Sequence, residues 1–187
     1  MSAPAQDSVL TDLRSGLRFA DSYTRIPTLI RAFVPCAKVG TDALLEWFRL
    51  LGDEWSGCDN IGKYRHDLNL ILANATDEQR AAMMTDAERE ELARLPSTFT
   101  VYRGAYSVNR RGLSWSLSRH VAAGFPFLAR YALHCVGHRP ILLTGRARRD
   151  RCVLKLDRDE QEIVAANMRI VESEILPIPE LQQRAAA

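Results

Sequence analysis

The stretch "LPSTFTVYRGA", residues 95–105, divides the sequence into two parts of different character. Residues 8–95, before it, read mainly as helix. In "DALLEWFRLLGDEW", for example, the apolar residues that recur at helical spacing are Leu44, Leu45, Phe48 and Leu51. After the proline of the stretch, strand-forming residues run without a break from Thr98 to Tyr102. The sequence therefore predicts an α+β chain whose helices precede its strands.

The pattern of the second half predicts further strands separated by one helix. The predicted strands are "LSWSLS" (113–118), "RPILLTG" (139–145), "RCVLKL" (151–156) and "QEIVAANMRIV" (161–171). A helix is predicted over 119–133, and loops are predicted near 35–40 and 52–62. In the first half, "TDEQRAAMM" and "TDAEREELARL" have the Thr-Asp start and early Glu or Gln of helix N-termini.

Composition favours a folded domain and gives no sign of a membrane or metal protein. Hydrophobic residues make up 47% of the 187 residues and charged residues 26%. No apolar run reaches the roughly 18 residues of a membrane span, and the start lacks the pattern of a signal peptide. We therefore expect a cytoplasmic protein. The four cysteines show no CxxC pair, and "HCVGH" (134–138) has no second ligand pair at the usual spacing, so we expect no metal site.

Positive charge is concentrated in residues 101–151. This segment contains 10 Lys and Arg residues but one acidic residue, whereas the whole chain has a net charge of +2. Such a segment attracts phosphates, either of a nucleotide or of nucleic acid, unless it is simply a solvated basic face. No GxGxxG, GxxxxGK[ST] or HExxH pattern occurs, which argues against a Rossmann dehydrogenase, a P-loop enzyme and a zincin.

Three short motifs follow one another in the strand-rich half. "YRG" supplies Arg103, "SWS" supplies Ser114 and Ser116, and "EQE" supplies Glu160 and Glu162. "EQE" is predicted at the start of a late strand. Because side chains alternate faces along a strand, the two serines share a face, and so do the two glutamates. We expect each pair to face one cleft.

In the order and spacing of these motifs, residues 97–175 resemble the mono-ADP-ribosyltransferases of the arginine-serine-glutamate class, found among bacterial toxins and phage-borne modifying enzymes. The resemblance implies a split β-sheet core over 96–180, preceded by a helical region over 1–95 and followed by a disordered tail at 181–187. It also implies that NAD+ is consumed as a substrate, with no metal. Trp115 stands where the family's usual triplet has threonine.

The roles implied by the resemblance fall on the motif residues. Arg103 would bind the dinucleotide phosphates, Ser114 and Ser116 would orient the site, and Glu162 would be indispensable. The residue types suit this chemistry. Glycosidic cleavage passes through an oxocarbenium-like cation that a carboxylate stabilises, a serine such as Ser114 can hold that carboxylate, and an arginine fork matches a phosphate. Gly104 would let the ligand approach the backbone.

Aromatic and loop residues are further candidates. In the family, an aromatic residue after the serine strand stacks on nicotinamide, so Phe125 or Phe127 could do so here, with Tyr102 and Tyr106 as weaker candidates. Either phenylalanine could equally be core. The loop "GDEWSGCDNIGKYR" could also touch ligand or could simply join two helices; its candidate residues are Trp55, Asp59 and Asn60.

The acceptor of ADP-ribose is the least determined part of the prediction. In the family, a glutamate at the position of Glu160 goes with arginine as the acceptor, so the leading hypothesis is transfer to protein arginine. The basic segment leaves two alternatives open, namely transfer to RNA or DNA and a non-catalytic nucleic-acid-binding module. In both, the phosphate contacts would come from Arg110, Arg111, Arg146, Arg148, Arg149 and Arg151.

Overall fold

The structure is a computed structural model, and it describes residues 3–128, 137–156 and 161–177. Within these residues the chain is mixed α+β, as predicted, with helices followed by a six-stranded antiparallel sheet. The α-helices are Ala3–Arg18 (α1), Arg25–Val39 (α2), Thr41–Trp55 (α3), Arg65–Asn74 (α4), Asp77–Ala82 (α5), Asp86–Arg94 (α6) and Arg119–Gly124 (α7).

The strands form one sheet in the order β4-β5-β2-β1-β3-β6. Their bounds are Thr98–Tyr106 (β1), Ser114–Ser116 (β2), Pro140–Arg148 (β3), Cys152–Lys155 (β4), Glu162–Ala165 (β5) and Arg169–Ile175 (β6). β1 pairs with β3 along its whole length, but it pairs with β2 only where Tyr102 lies opposite Ser116. The junction between β1 and β2 is therefore the weakest in the sheet.

Both predicted loops of the helical half are shorter than expected, because helices run through part of each and the chain leaves helix only at Gly40 and over residues 56–60. α2 continues through Pro35 and ends at Val39, although proline inside a helix removes a hydrogen bond. The helix is stabilised by the burial of three of its side chains, which helix propensity does not take into account. These are Ile26, Leu29 and Cys36. α3 continues through Gly52, where a Cβ would lie 2.1 Å from the Met83 carbonyl oxygen. Glycine is needed there because two helices meet at their backbones.

The apolar face of α3 is rotated from the predicted one. Phe48 is buried as expected, but Leu44 and Leu45 are half-buried, while Ala43 and Trp47 are fully buried. The Trp47 indole also donates to the Leu29 carbonyl at 2.7 Å. The largest side chain of the helix therefore determines which face packs inward.

The predicted strand over 161–171 is two strands. β5 ends at Ala165 and β6 begins at Arg169, and the turn between them contains Asn167 at φ 51°. Asparagine tolerates this left-handed conformation better than most residues, which the uninterrupted strand pattern does not take into account. Asn69 of α4 holds the turn, since its side chain accepts from the Asn167 backbone N–H at 3.0 Å and donates to the Asn167 side chain at 2.8 Å.

The helix predicted over 119–133 is shorter in the part of it that the structure describes. α7 ends at Gly124 and is followed by a 3-10 turn at Phe125–Phe127. Pro126 has no N–H to continue an α-helix, which explains the change. Residues 129–136 of the prediction lie outside the described residues.

A buried ion pair joins the helices to the sheet. Lys155 Nζ of β4 lies 3.1 Å from Glu88 Oε2 of α6, and the two side chains are 4% and 2% exposed. Glu88 also accepts from the Leu156 and Thr85 backbone N–H groups, at 2.9 and 2.8 Å. Burial alone would raise the pKa of Glu88, but these hydrogen bonds and Lys155 outweigh it and lower the pKa. The helical half and the sheet share one hydrophobic core.

The structure bears on the predicted tail and on membrane spanning only in the residues that it describes. The predicted tail at 181–187 lies outside the described residues. Among the residues that are described, no helix combines the length and apolar character needed to cross a membrane.

Candidate functional site

The motif residues that the structure describes, Arg103, Ser114, Ser116 and Glu162, line a cleft of about 360 Å³ between strands and helices. One side, the strand wall, is formed by β1, β2 and β5. The other side, the helical wall, is formed by the end of α3 and residues 56–63. The 3-10 turn after α7 closes one end. The volume is at the lower end of the range for small-molecule sites.

Glu162 lies at the start of β5 in the middle of this cleft. Its neighbours across the sheet are Ser116 on β2 and Lys155 on β4. The indole Nε1 of Trp55 donates to Glu162 Oε1 at 2.9 Å, and Trp55 itself is 1% exposed. A hydrogen bond from a buried indole fixes the carboxylate in one orientation. The strand pattern predicted Glu162, but the contact with Trp55 joins residues 107 positions apart, and no local pattern shows it.

Of the two serines, Ser116 is the one next to Glu162. It lies directly opposite Glu162, is 3% exposed, and accepts through Oγ from the Ser118 backbone N–H at 3.0 Å. Ser114 lies opposite Val164 instead. Ser114 was predicted to hold the carboxylate, whereas the register favours Ser116 for this role.

Arg103 bridges the weak junction between β1 and β2. Its Nη1 donates to the Ser114 carbonyl at 2.8 Å, and its Nη2 lies 3.4 Å from the Asn109 carbonyl. The guanidinium packs on Gly112, where a Cβ would lie 2.2 Å from it. Arg103 therefore takes the place of ladder hydrogen bonds at the point where the two strands diverge. Gly112 was not predicted, although a glycine after two arginines in a short loop is a visible signal.

Helix packing explains why residue 104 is a glycine. A Cβ at this position would lie 1.8 Å from the Ala122 carbonyl oxygen of α7 and 2.7 Å from the Pro126 ring. The Tyr106 hydroxyl donates to the Pro126 carbonyl at 2.6 Å and ties the same turn to β1. The Cβ direction at Gly104 is thus filled by the chain itself, while Gly104 also lines the cleft.

The aromatic candidates differ in position. Phe125 lines the cleft, together with Tyr102 and Tyr106, whereas Phe127 is not among its lining residues. Phe125 is therefore the phenylalanine whose ring can meet a ligand in this cleft.

Glu160 lies outside the described residues, as do His134 and Cys135 of the metal hypothesis. β5 begins at Glu162, and Gln161 before it has φ 43°. The alternation of side chains used to place Glu160 beside Glu162 therefore does not extend across Gln161. In the part of the chain that the structure describes, no three His, Cys, Asp or Glu side chains come together as a metal site.

The helical wall is held by the turn between α1 and α2. The Asp59 backbone N–H donates to the Ser22 carbonyl at 3.0 Å, and the Asn60 side chain donates to the Tyr23 carbonyl. Burial raises the pKa of the nearby Cys58 thiol to about 11, so it is protonated at neutral pH and a poor nucleophile. The predicted loop residues Asp59 and Asn60 do line the cleft.

A second cavity, of about 580 Å³, adjoins the cleft. It is called the basic cavity below, and it is lined on its charged side by Arg65, His66, Arg110 and Arg111. Trp115 lines both spaces, as does Gly112 beneath Arg103. The two spaces are therefore contiguous.

Comparison of the chain with models of known protein families, with curated proteins and with solved structures gives no match.

Proposed function

We propose that this protein is a mono-ADP-ribosyltransferase that cleaves NAD+ and transfers ADP-ribose to an acceptor. The observation that carries the proposal is the environment of Glu162: a carboxylate in a cleft, beside Ser116 and bonded by the Trp55 indole. Its position also agrees with the motif order on which the resemblance to this family rests.

The proposed reaction breaks the bond between the nicotinamide nitrogen and the ribose C1′. The bonding electrons leave with nicotinamide, positive charge develops on the ribose, and the acceptor then bonds to C1′ and loses a proton. Glu162 would accept a hydrogen bond from a ribose hydroxyl and stabilise the developing charge. The Trp55 N–H and the packed Ser116 strand keep the carboxylate in place, so that little reorganisation is needed.

The remaining cleft residues fit supporting roles. The ring of Phe125 is available to stack on nicotinamide at the end closed by the turn after α7. We also propose the split sheet of this family, and the single registered pair between β1 and β2 is where the split would lie. Arg103, which spans that junction, would meet a phosphate in addition to its two carbonyl contacts or in place of them.

For the acceptor we propose protein arginine, on the family relation that involves Glu160. Glu160 would hold the guanidinium and accept its proton as the new bond forms.

Nicotinamide release from NAD+ tests the cleavage step. We expect the wild type to release nicotinamide and Glu162→Gln to lose on the order of 100-fold or more of this activity, because the variant cannot carry the stabilising charge. Glu172→Gln is the matched control, since Glu172 is an exposed glutamate on β6. Equal activity in the wild type and Glu162→Gln would remove Glu162 from the chemistry. A wild type that binds nucleic acid but releases no nicotinamide would favour the non-catalytic module.

Labelled NAD+ and a cell lysate test the acceptor. We expect the label to become protease-sensitive and nuclease-resistant. Glu160→Gln should lose transfer to arginine while keeping hydrolysis to free ADP-ribose, in which water attacks instead. A fall in both activities would assign Glu160 to cleavage, and nuclease-sensitive label would replace arginine with nucleic acid.

A further inference from the structure

The arginines of the basic segment fall into two structural groups. On β3 and the turn after it, the side chains already have partners: Arg146 donates to Thr100 at 3.0 Å, Arg148 pairs with Asp150 at 2.6 Å, and Arg149 donates to the Ala93 and Leu95 carbonyls at 2.8 and 2.7 Å. These contacts direct guanidinium donors at groups of the protein itself, although only Arg148 is paired with a carboxylate.

The arginines of the basic cavity differ from that group. Arg110 and Arg111 precede β2, and Arg65 begins α4 on the opposite side. All three are exposed, and none forms an ion pair with any carboxylate in the described part of the chain. No acidic side chain lines the cavity among the described residues. Uncompensated guanidinium groups around one concave space create a strong positive field.

The walls of the basic cavity are rigid. The two hydrogen bonds between Asn69 and Asn167 fix α4 against the turn between β5 and β6. Trp115 is 3% exposed, and its Nε1 is buried with no acceptor in the described residues. The cavity thus combines exposed cationic side chains with walls that are held by hydrogen bonds and packing.

We infer that the basic cavity is a phosphate-binding site for a ligand that extends from the cleft, formed by Arg65, Arg110 and Arg111. The inference rests on the proposed function, since the cleft is where the ribose of NAD+ would react. Guanidinium forks match phosphate oxygens in pairs, and two opposite sides of the cavity supply them.

The phosphate has two chemical sources. One is the dinucleotide itself: the cleft is small, and the diphosphate and adenosine half would continue into the contiguous cavity. The other is the phosphate of a nucleic-acid acceptor that approaches the ribose from this side. The site is the same in both cases.

Binding of inorganic pyrophosphate tests the site without any need for catalysis. By calorimetric titration at low salt, we expect the Arg110→Ala/Arg111→Ala variant to bind pyrophosphate at least 10-fold more weakly than the wild type. The matched control is Arg146→Ala/Arg148→Ala, which removes the same charge from β3 and should change affinity less than 3-fold. Equal weakening in both variants, or no binding by the wild type, would overturn the inference.

Two further ligands distinguish the sources. If the phosphate belongs to the dinucleotide, ADP should bind, compete with NAD+, and lose affinity in the Arg110→Ala/Arg111→Ala variant. If it belongs to an acceptor, a short 5′-phosphorylated single-stranded oligonucleotide should bind in the presence of NAD+ and lose affinity in that variant. If neither ligand loses affinity in the Arg110→Ala/Arg111→Ala variant, the proposed site is wrong. Failure of the proposed function would appear separately, as absence of nicotinamide release with pyrophosphate binding intact.

Discussion

The strand wall of the cleft carries Arg103, Ser116 and Glu162, which are groups that a reaction can use, whereas the helical wall supplies an indole N–H and a set of packing contacts. The strand wall is built from consecutive motifs on short strands. The helical wall depends on contacts between residues far apart in sequence. The difference suggests that the first wall provides chemistry and the second holds it in position.

The largest expected effect comes from weakening the contact between the helical half and the sheet. Glu88→Ala removes the carboxylate that Lys155 contacts in a buried position and the acceptor for two backbone N–H groups. We expect the free energy of unfolding to fall by about 3–5 kcal/mol, measured by urea denaturation. Glu90→Ala, an exposed change on the same helix, should cost much less. Similar losses in the two variants would show that the ion pair does not stabilise the contact between the helical half and the sheet.

Removal of the indole donor tests whether the helical wall acts on the chemistry. Trp55→Phe deletes the hydrogen bond to Glu162. A hydrogen bond to a charged group contributes about 1.5 kcal/mol, which corresponds to about a 10-fold change in rate. We expect kcat for nicotinamide release to fall by about that factor, with KM changed little. Trp47→Phe is the control, because it deletes a buried indole bond to Leu29 away from the cleft. It should lower stability but leave kcat per folded molecule unchanged.

Substitution of the two serines tests the strand wall more finely. Because Ser116 lies opposite Glu162 and accepts from the Ser118 N–H, we expect Ser116→Ala to lower kcat about 5-fold, which corresponds to about 1 kcal/mol. Ser114→Ala should have a smaller effect. The reverse order would return the role of holding the carboxylate to Ser114, and kinetics at saturating NAD+ would decide between them.

The smallest effect concerns acid stability of the helical half. Hydrogen bonds from Arg49, together with Arg14, lower the pKa of Glu46 from 4.5 to about 2. A lowered folded-state pKa gives stability that is present above about pH 4.5 and lost as the pH falls towards 2. Because both arginines are about half exposed, we expect this contribution to the free energy of unfolding to be about 1 kcal/mol or less. Urea denaturation from pH 6 to pH 2.5 should show a flatter curve for Glu46→Gln, and parallel curves would contradict the assignment.

The fold class and the reactive side of the cleft were accessible from sequence because their signals are local. Strand-forming residues after Pro96 predict β1, and the spacing in "SWS" predicts that the two serines share a face. Both capping boxes were also visible, and the structure has them at Thr76 with Gln79 and at Thr85 with Glu88.

On the helical side, Trp55, Asp59 and Asn60 were named from sequence and line the cleft, but the contact between Trp55 and Glu162 was not accessible for a physical reason. Trp55 reaches Glu162 only because α3 packs closely on the residue after α5, which Gly52 permits by exposing its backbone to Met83. In sequence, Gly52 looks like a loop residue. Which guanidinium groups are bonded within the protein also depends on tertiary structure. A count of charges in the sequence does not reveal it.

The place of β5 in the sheet has a consequence for synthesis of the chain. β5 is fifth in sequence but lies between β4 and β2, and it carries the carboxylate that Trp55 contacts. A nascent chain that ends before β5 leaves β2 and β4 without their shared neighbour, and Trp55 without its acceptor. Such long-range pairing forms late in folding. The cleft can therefore be completed only after β5 has been synthesised.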